Sequence, residues 1–233
     1  MEDYQAQDYT HEVIASKGGT LFAARHSGLY CSQDGGKTWQ LAYEGLNIQE
    51  PIPTHAVALS PDFDEDKVVL SGVTGGVLVS KNGGQDWVFA RFHEPTPTVT
   101  ALVVSPGFSD DGLALAATLE DGVFLSEDGG MSWQAWNFGL LDWNVNCLAI
   151  SPNFLNDRMV FIGVETGVYR SANGGRSWRD LPFPDEAASV VEIVLSPTFS
   201  EDGVIMVDTE ERGRYRSDDG GQTWAPSAGG SSG

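Results

Sequence analysis

The sequence predicts an all-β fold, a single five-bladed β-propeller with four antiparallel strands in each blade. Two observations carry that reading. The octet Ser32-Gln33-Asp34-Gly35-Gly36-Lys37-Thr38-Trp39 has counterparts beginning at Ser80, Ser126, Ser171 and Ser217, 45 to 48 residues apart, a period at which four-stranded propeller blades lie. Ahead of four of the octets stands Ser-Pro-x-Phe-x-x-Asp, at 60–66, 105–111, 151–157 and 196–202, with a short apolar run on either side. No helical periodicity is long enough to compete with these runs.

The octet has the chemistry of a folded turn. Its third position is Asp34, Asn82, Asp128, Asn173 or Asp219, and its last is Trp39, Trp87, Trp133, Trp178 or Trp224. An Asp or Asn there accepts hydrogen bonds from the backbone N–H groups that follow it, so the turn closes without needing a charge. The glycines supply positive φ. The Trp then enters a strand and buries its ring beside the turn, with its indole N–H directed at a carbonyl. A residue repeated once per unit is read as scaffold, not as a catalyst or metal ligand. No metal and no cofactor is expected.

A blade can then be written out. An inner strand such as Ala56-Val57-Ala58-Leu59 ends at Ser-Pro, and a second follows the Phe-Asp turn. A third strand ends at the octet Ser and a fourth begins at its Trp, with the octet turn between them. Blades fall at about 1–46, 47–94, 95–141, 142–186 and 187–226, with 227–233 as a flexible tail. The chain starts and stops at nearly the same point of the repeat, so every blade is expected to be contiguous. The first and fifth blades should then meet through side chains alone.

Composition excludes several classes. With 13 Lys+Arg against 33 Asp+Glu, the formal charge is −20, dispersed along the chain; nucleic acid needs a cationic footprint that is missing here. The two cysteines, Cys31 and Cys147, fall at unrelated positions of different units and read as small buried hydrophobes. Met1-Glu2-Asp3-Tyr4-Gln5 lacks the basic and apolar regions of a signal peptide, and no apolar run reaches the length of a membrane span. The chain as given is therefore expected to be cytoplasmic, or else an exported domain, and monomeric. Gly36-Lys37-Thr38 mimics the end of a phosphate-binding loop, but Cys31 stands where that loop needs glycine. The acidic run 62–66 lacks the glycine and glutamate that an EF-hand would place at Lys67 and Val73.

The octet and its spacing resemble the Asp-box, or BNR, repeat family, over roughly residues 10 to 226. That family includes sialidases, xyloglucan-cleaving enzymes, sortilin-type receptors and photosystem II assembly factors. The resemblance specifies the fold and leaves function open, because enzymes and binders share the repeat. It implies that function sits on the face opposite the boxes, where the loops between second and third strands lie. Six residues before each box Ser, that face carries His26, Thr74, Glu120, Glu165 and Glu211, and the loops between blades add Trp136 and Trp143. His26, Glu120, Glu165, Glu211, Trp136 and Trp143 are the candidate ligand-binding residues. None of the five tip positions is an arginine, and no Phe-Arg-Ile-Pro-like segment is present, which argues against sialic acid. The expected function is a noncatalytic scaffold that offers an acidic, aromatic loop face to a protein or peptide. The alternative is a carbohydrate-binding or glycoside-cleaving propeller.

Overall fold

The computed structural model describes residues 8–46, 50–92, 96–184 and 189–227. They form five sheets whose main strands run antiparallel. The first holds β1 (Thr10–Ala15), β2 (Leu21–Arg25), β3 (Gly28–Ser32) and β4 (Gln40–Leu41), and the second β5 (Thr54–Leu59), β6 (Val69–Val73), β7 (Gly76–Ser80) and β8 (Val88–Phe89). A short β9 (Arg91–Phe92) precedes the third, which holds β10 (Thr98–Val104), β11 (Ala114–Leu119), β12 (Gly122–Ser126) and β13 (Ser132–Ala135). The fourth holds β14 (Val145–Ile150), β15 (Val160–Val164), β16 (Gly167–Ser171) and β17 (Arg179–Asp180). The fifth holds β18 (Val190–Leu195), β19 (Ile205–Thr209), β20 (Gly213–Ser217) and β21 (Ala225–Pro226). Within each sheet the four antiparallel strands are consecutive in sequence; in the third, β9 adds in parallel to the outer edge of β13, through Arg91 and Phe92.

The octets behave as the sequence implies. Asp34 Oδ1 accepts from the Lys37 and Thr38 N–H groups at 3.0 and 2.9 Å, and Oδ2 accepts from Thr38 Oγ1 at 2.7 Å. Where Asn replaces Asp the partner changes to match: Asn82 Nδ2 donates to Asp86 Oδ2 and Asn173 Nδ2 to Ser177 Oγ, each at 2.8 Å. The seventh octet residue thus supplies a donor to Asp and an acceptor to Asn.

The Ser-Pro-x-Phe-x-x-Asp segment, which the sequence shows as a turn, is a single helical turn. These turns are α1 (Phe63–Asp66), α2 (Phe108–Asp111), α3 (Phe154–Asp157) and α4 (Phe199–Asp202), each with its Phe buried. In α1, Ser60 Oγ donates to Asp66 Oδ2 at 2.6 Å, and Asp66 Oδ1 accepts from the Val68 N–H at 2.9 Å. Each turn stops on a left-handed residue: Gly112 and Gly203 in two of them, but Lys67 (φ 59°) and Arg158 (φ 55°) in the others. Both of those cations lie over the Phe of their own turn, at 5.4 and 5.3 Å from the ring centre, which offsets part of the strain. The first unit lacks the motif and borrows an acid from the second, Asp64, which accepts from Ser16 Oγ at 2.8 Å and from the Gly18 N–H at 2.6 Å.

Apolar residues of adjacent sheets interdigitate in four clusters, joining the first sheet to the second, the second to the third, and so on to the fifth. The first strands touch in the same order, β1 with β5, β5 with β10, β10 with β14 and β14 with β18. Among the described residues, no cluster and no contact of similar extent joins β18 to β1.

Every first strand carries a register shift at the same place, which leaves His11, His55, Thr100, Asn146 and Val191 as the extra residue. A bulge re-aims its side chain. Here it aims at the next unit: Thr100 Oγ1 donates to the Val145 carbonyl at 2.6 Å, Asn146 Nδ2 to the Val190 carbonyl at 3.1 Å, and the His11 and His55 rings meet edge to face at 5.3 Å.

Candidate functional site

The second-to-third-strand hairpins lie at one end of the sheets, and the structure places His26, Glu120, Glu165 and Glu211 at exposed positions on those tips. They are spread over the first, third, fourth and fifth units. His26 borders a shallow depression with Asp8, Pro51 and Pro53. Glu120 has φ 76°, so the tip holds a left-handed conformation that a residue other than glycine takes only at a cost.

Trp136 and Trp143 do come together. They line an open groove of about 730 Å³ along the outer edge of the third sheet, with Asp121, Glu127, Asp128 and Trp133. The loop carrying Trp143 is tied at adjacent residues to two hairpins: the Gly122 N–H donates to the Trp143 carbonyl at 3.0 Å, and Thr166 Oγ1 donates to Asp142 Oδ2 at 3.1 Å. It therefore bridges the hairpin tips of the third and fourth units. Trp143 is 49% exposed, and Phe138 and Leu141 beside it are 80% and 87% exposed. Asn137, which the sequence does not mark, holds the wall by donating to the Asp121 carbonyl at 2.9 Å and accepting from the Val123 N–H at 2.8 Å. Arg176 of the next box lies over Trp136, 5.8 Å from its ring centre, and pairs with Glu127. Nothing in the one-dimensional pattern marks this pairing, because its two residues lie 49 apart in different boxes.

The carboxylates of the groove have separate duties. Asp128 is bound into its box turn; burial raises its pKa, and bonds from Ser132, Ser126 and the Met131 N–H outweigh burial and leave it lowered. Asp121 and Glu127 flank opposite ends of β12, which at about 3.3 Å per residue sets them on the order of 20 Å apart. A glycosidase needs its two carboxyl groups between about 5 and 9.5 Å apart. The arrangement suits a long ligand with several anchoring points better than one scissile bond. Among the described residues, no group of three or more His, Cys, Asp or Glu could hold a metal ion, and no helix is long and apolar enough to cross a membrane.

The family profile described as BNR/Asp-box repeat matches residues 30–41 and 215–226. No curated protein matches the sequence. Solved structures do. An ancestral GH74 enzyme is 24% identical over 97% of this chain with a TM-score of 0.78, and the GH74 xyloglucanase from Xanthomonas campestris is 16% identical over 97% with a TM-score of 0.68. YCF48 bound to a D1 peptide is 16% identical over 93% with a TM-score of 0.66. The chain spans 32%, 39% and 66% of those three chains, respectively. By its repeats and by this likeness of fold, the chain is an Asp-box (BNR) repeat protein, all-β, built of four-stranded antiparallel sheets as propeller proteins are.

Proposed function

We propose that the chain is a noncatalytic scaffold that holds an extended, basic segment of a protein partner in the groove along the third sheet. The observation that carries this is the groove itself, lined by half-buried Trp136, exposed Trp143 and the carboxylates of Asp121 and Glu127 on a chain of net charge −20. Aromatic rings offer contact area and attract guanidinium and ammonium groups, and flanking carboxylates select for the same cations. The long separation of the acids supports a ligand that runs the length of β12. A peptide complex of YCF48 supports the reading at the level of fold. The exposed tips Glu120, Glu165 and Glu211 add acid at the hairpin ends of the third, fourth and fifth units, and His26 stands at that of the first.

The test is binding of an array of Lys- and Arg-rich peptides, run beside xyloglucan oligosaccharides, to the wild-type chain and to Trp143→Ala. Basic peptides should bind, weaken by about tenfold or more in Trp143→Ala, and weaken with added salt. Saturable binding or cleavage of the oligosaccharides, with no peptide binding, would favour the glycoside reading.

A further inference from the structure

In the first four units, the face turned toward the next sheet is apolar and small. On second strands it presents Phe22, Leu70, Leu115 and Phe161, then Ala24, Gly72, Ala117 and Gly163; on third strands it presents Leu29, Val77, Val123 and Val168, all buried. Packing there is tight enough that a Cβ on Gly72 would stand 2.6 Å from Val99 Cγ1, and one on Gly163 would stand 2.4 Å from Val190 Cγ1.

The fifth unit keeps an apolar residue at the first of those positions and breaks the pattern at the other two. Met206 stands where the large apolar residue was, Asp208 where only Gly or Ala fits, and Arg214 where the Leu or Val was. Arg214 binds Asp208 with both arms, Nε to Oδ1 at 2.6 Å and Nη2 to Oδ2 at 2.5 Å, and the Glu192 carboxyl lies against Asp208. Val191, the bulge residue that in the third and fourth units reaches across to the next sheet, is 46% exposed, and Val194 is 48% exposed. The outward face of the first unit is defended in a similar way. Arg25 occupies the position of Val73, Thr118, Val164 and Thr209, lies 4.8 Å from the Tyr30 ring centre and 5.3 Å from that of Trp39, and pairs with Asp8 at 3.8 Å.

The structure assigns these two faces a capping role: they are built to meet water, so the five sheets form an open arc that neither closes on itself nor stacks on a second copy. Stacked repeats need polar outer faces at their ends to stay soluble. Seating a sheet on the fifth unit would bury Glu192, Asp208 and Arg214 together, and the desolvation of such a group is not recovered from its own pairing. The steric term adds to this, because the Asp208 carboxylate fills the space that Gly72 and Gly163 leave for the neighbour's first strand.

Sedimentation velocity over about 5 to 200 µM tests the assignment on the whole chain. The wild type should run as one monomer, and a triple variant with Glu192→Ala, Asp208→Gly and Arg214→Val, which restores the chemistry of the interior units at all three charged positions, should associate as concentration rises. Val194→Lys is read in parallel and does not depend on the triple variant folding. On a solvent face it should leave the monomer intact and the melting temperature within about 1 °C of wild type. A wild-type oligomer that Val194→Lys disperses, or a loss of more than about 4 °C in that variant, would show that something packs on this face and would overturn the assignment. So would a folded triple variant that stays monomeric.

Discussion

The third and fifth units are built from the same repeat, yet their Asp-box tryptophans do different things. Trp133, with a sheet on either side, is 1% exposed; it donates to the Gly130 carbonyl at 2.8 Å and stacks on Phe92 at 5.7 Å with an interplanar angle of 8°. Trp224, in the last unit, is only partly buried, and its indole N–H meets no acceptor. The repeat therefore sets what the turn looks like, while neighbours on both sides set how much that turn is worth. In repeat proteins stability sums over units and their interfaces, and an end unit has only one interface.

The largest test of that difference is truncation of the two rings. Trp133→Ala should cost roughly 3–5 kcal/mol in urea unfolding, because the ring leaves a cavity that two sheets cannot collapse into. Trp224→Ala should cost less than about 2 kcal/mol, since that ring already faces water on one side. Equal losses would mean that the box contributes locally, independent of its neighbours.

A smaller effect separates the roles of charge and hydrogen bonding inside the boxes. Asp34 and Asp219 are held down to about 2, first by the hydroxyls of Thr38 and Thr223, then by the N–H groups of the same residues. A carboxyl whose folded pKa is lowered contributes stability that is fully present above its unfolded value near 3.8 and is lost as pH falls toward 2. The Asn82 and Asn173 turns have no such titration. Acid unfolding followed by tryptophan fluorescence should thus begin below about pH 4, and Asp34→Asn with Asp219→Asn should shift its midpoint to lower pH. At pH 7 the same pair should leave the melting temperature nearly unchanged, because Thr38 and Thr223 can turn their hydroxyl lone pairs toward the new amides. Asp128→Ala, by contrast, removes the acceptor altogether and should cost about 1 kcal/mol. If the Asn pair destabilised as much as Ala does, charge would be the working property of the box.

The sequence made the boxes legible because their chemistry is local: acceptor, glycines and Trp lie within eight residues, and their bonds close on themselves. The main strands followed from the same period. The single helical turns at α1 to α4 were not legible, since Ser-Pro-x-Phe-x-x-Asp fits a turn or four helical residues equally well until Ser60 is seen to bond Asp66. For the site, surplus tryptophans pointed to Trp136 and Trp143, but the groove also needs Asn137 and Arg176, and Arg176 comes from another unit. The end faces were hidden for a related reason. Asp208 and Arg214 look like ordinary strand residues until they are set in register with Gly72 and Val77. The expectation that the first and fifth units meet through side chains rested on where the repeat begins and ends, which carries no information about which faces are apolar.

The smallest expected effect compares one strand position where it meets the following unit with the same position on the fifth unit. Glu12 and Glu192 both stand just after the bulge of their strand. Glu12 Oε2 accepts from the Val57 N–H of the next unit at 2.9 Å; burial raises its pKa, and that bond only partly opposes the rise. Among the described residues Glu192 meets no following unit, and it is raised by its own desolvation and then by Asp208, against the pull of Arg214. A raised carboxyl contributes stability that is present below its unfolded value near 4.5 and lost as pH rises through the folded value. Glutamine keeps the acceptor for Val57 and removes the charge that burial disfavours. Glu12→Gln should therefore raise the melting temperature by about 1–3 °C at pH 7 and by less as pH falls and the wild-type carboxyl takes up its own proton. Glu192→Gln should do less at either pH, because the end face is hydrated and Arg214 already offsets the charge. A melting curve in which Glu12→Gln lowers stability at pH 7 would mean that the carboxylate, rather than the acceptor geometry, ties the first unit to the second.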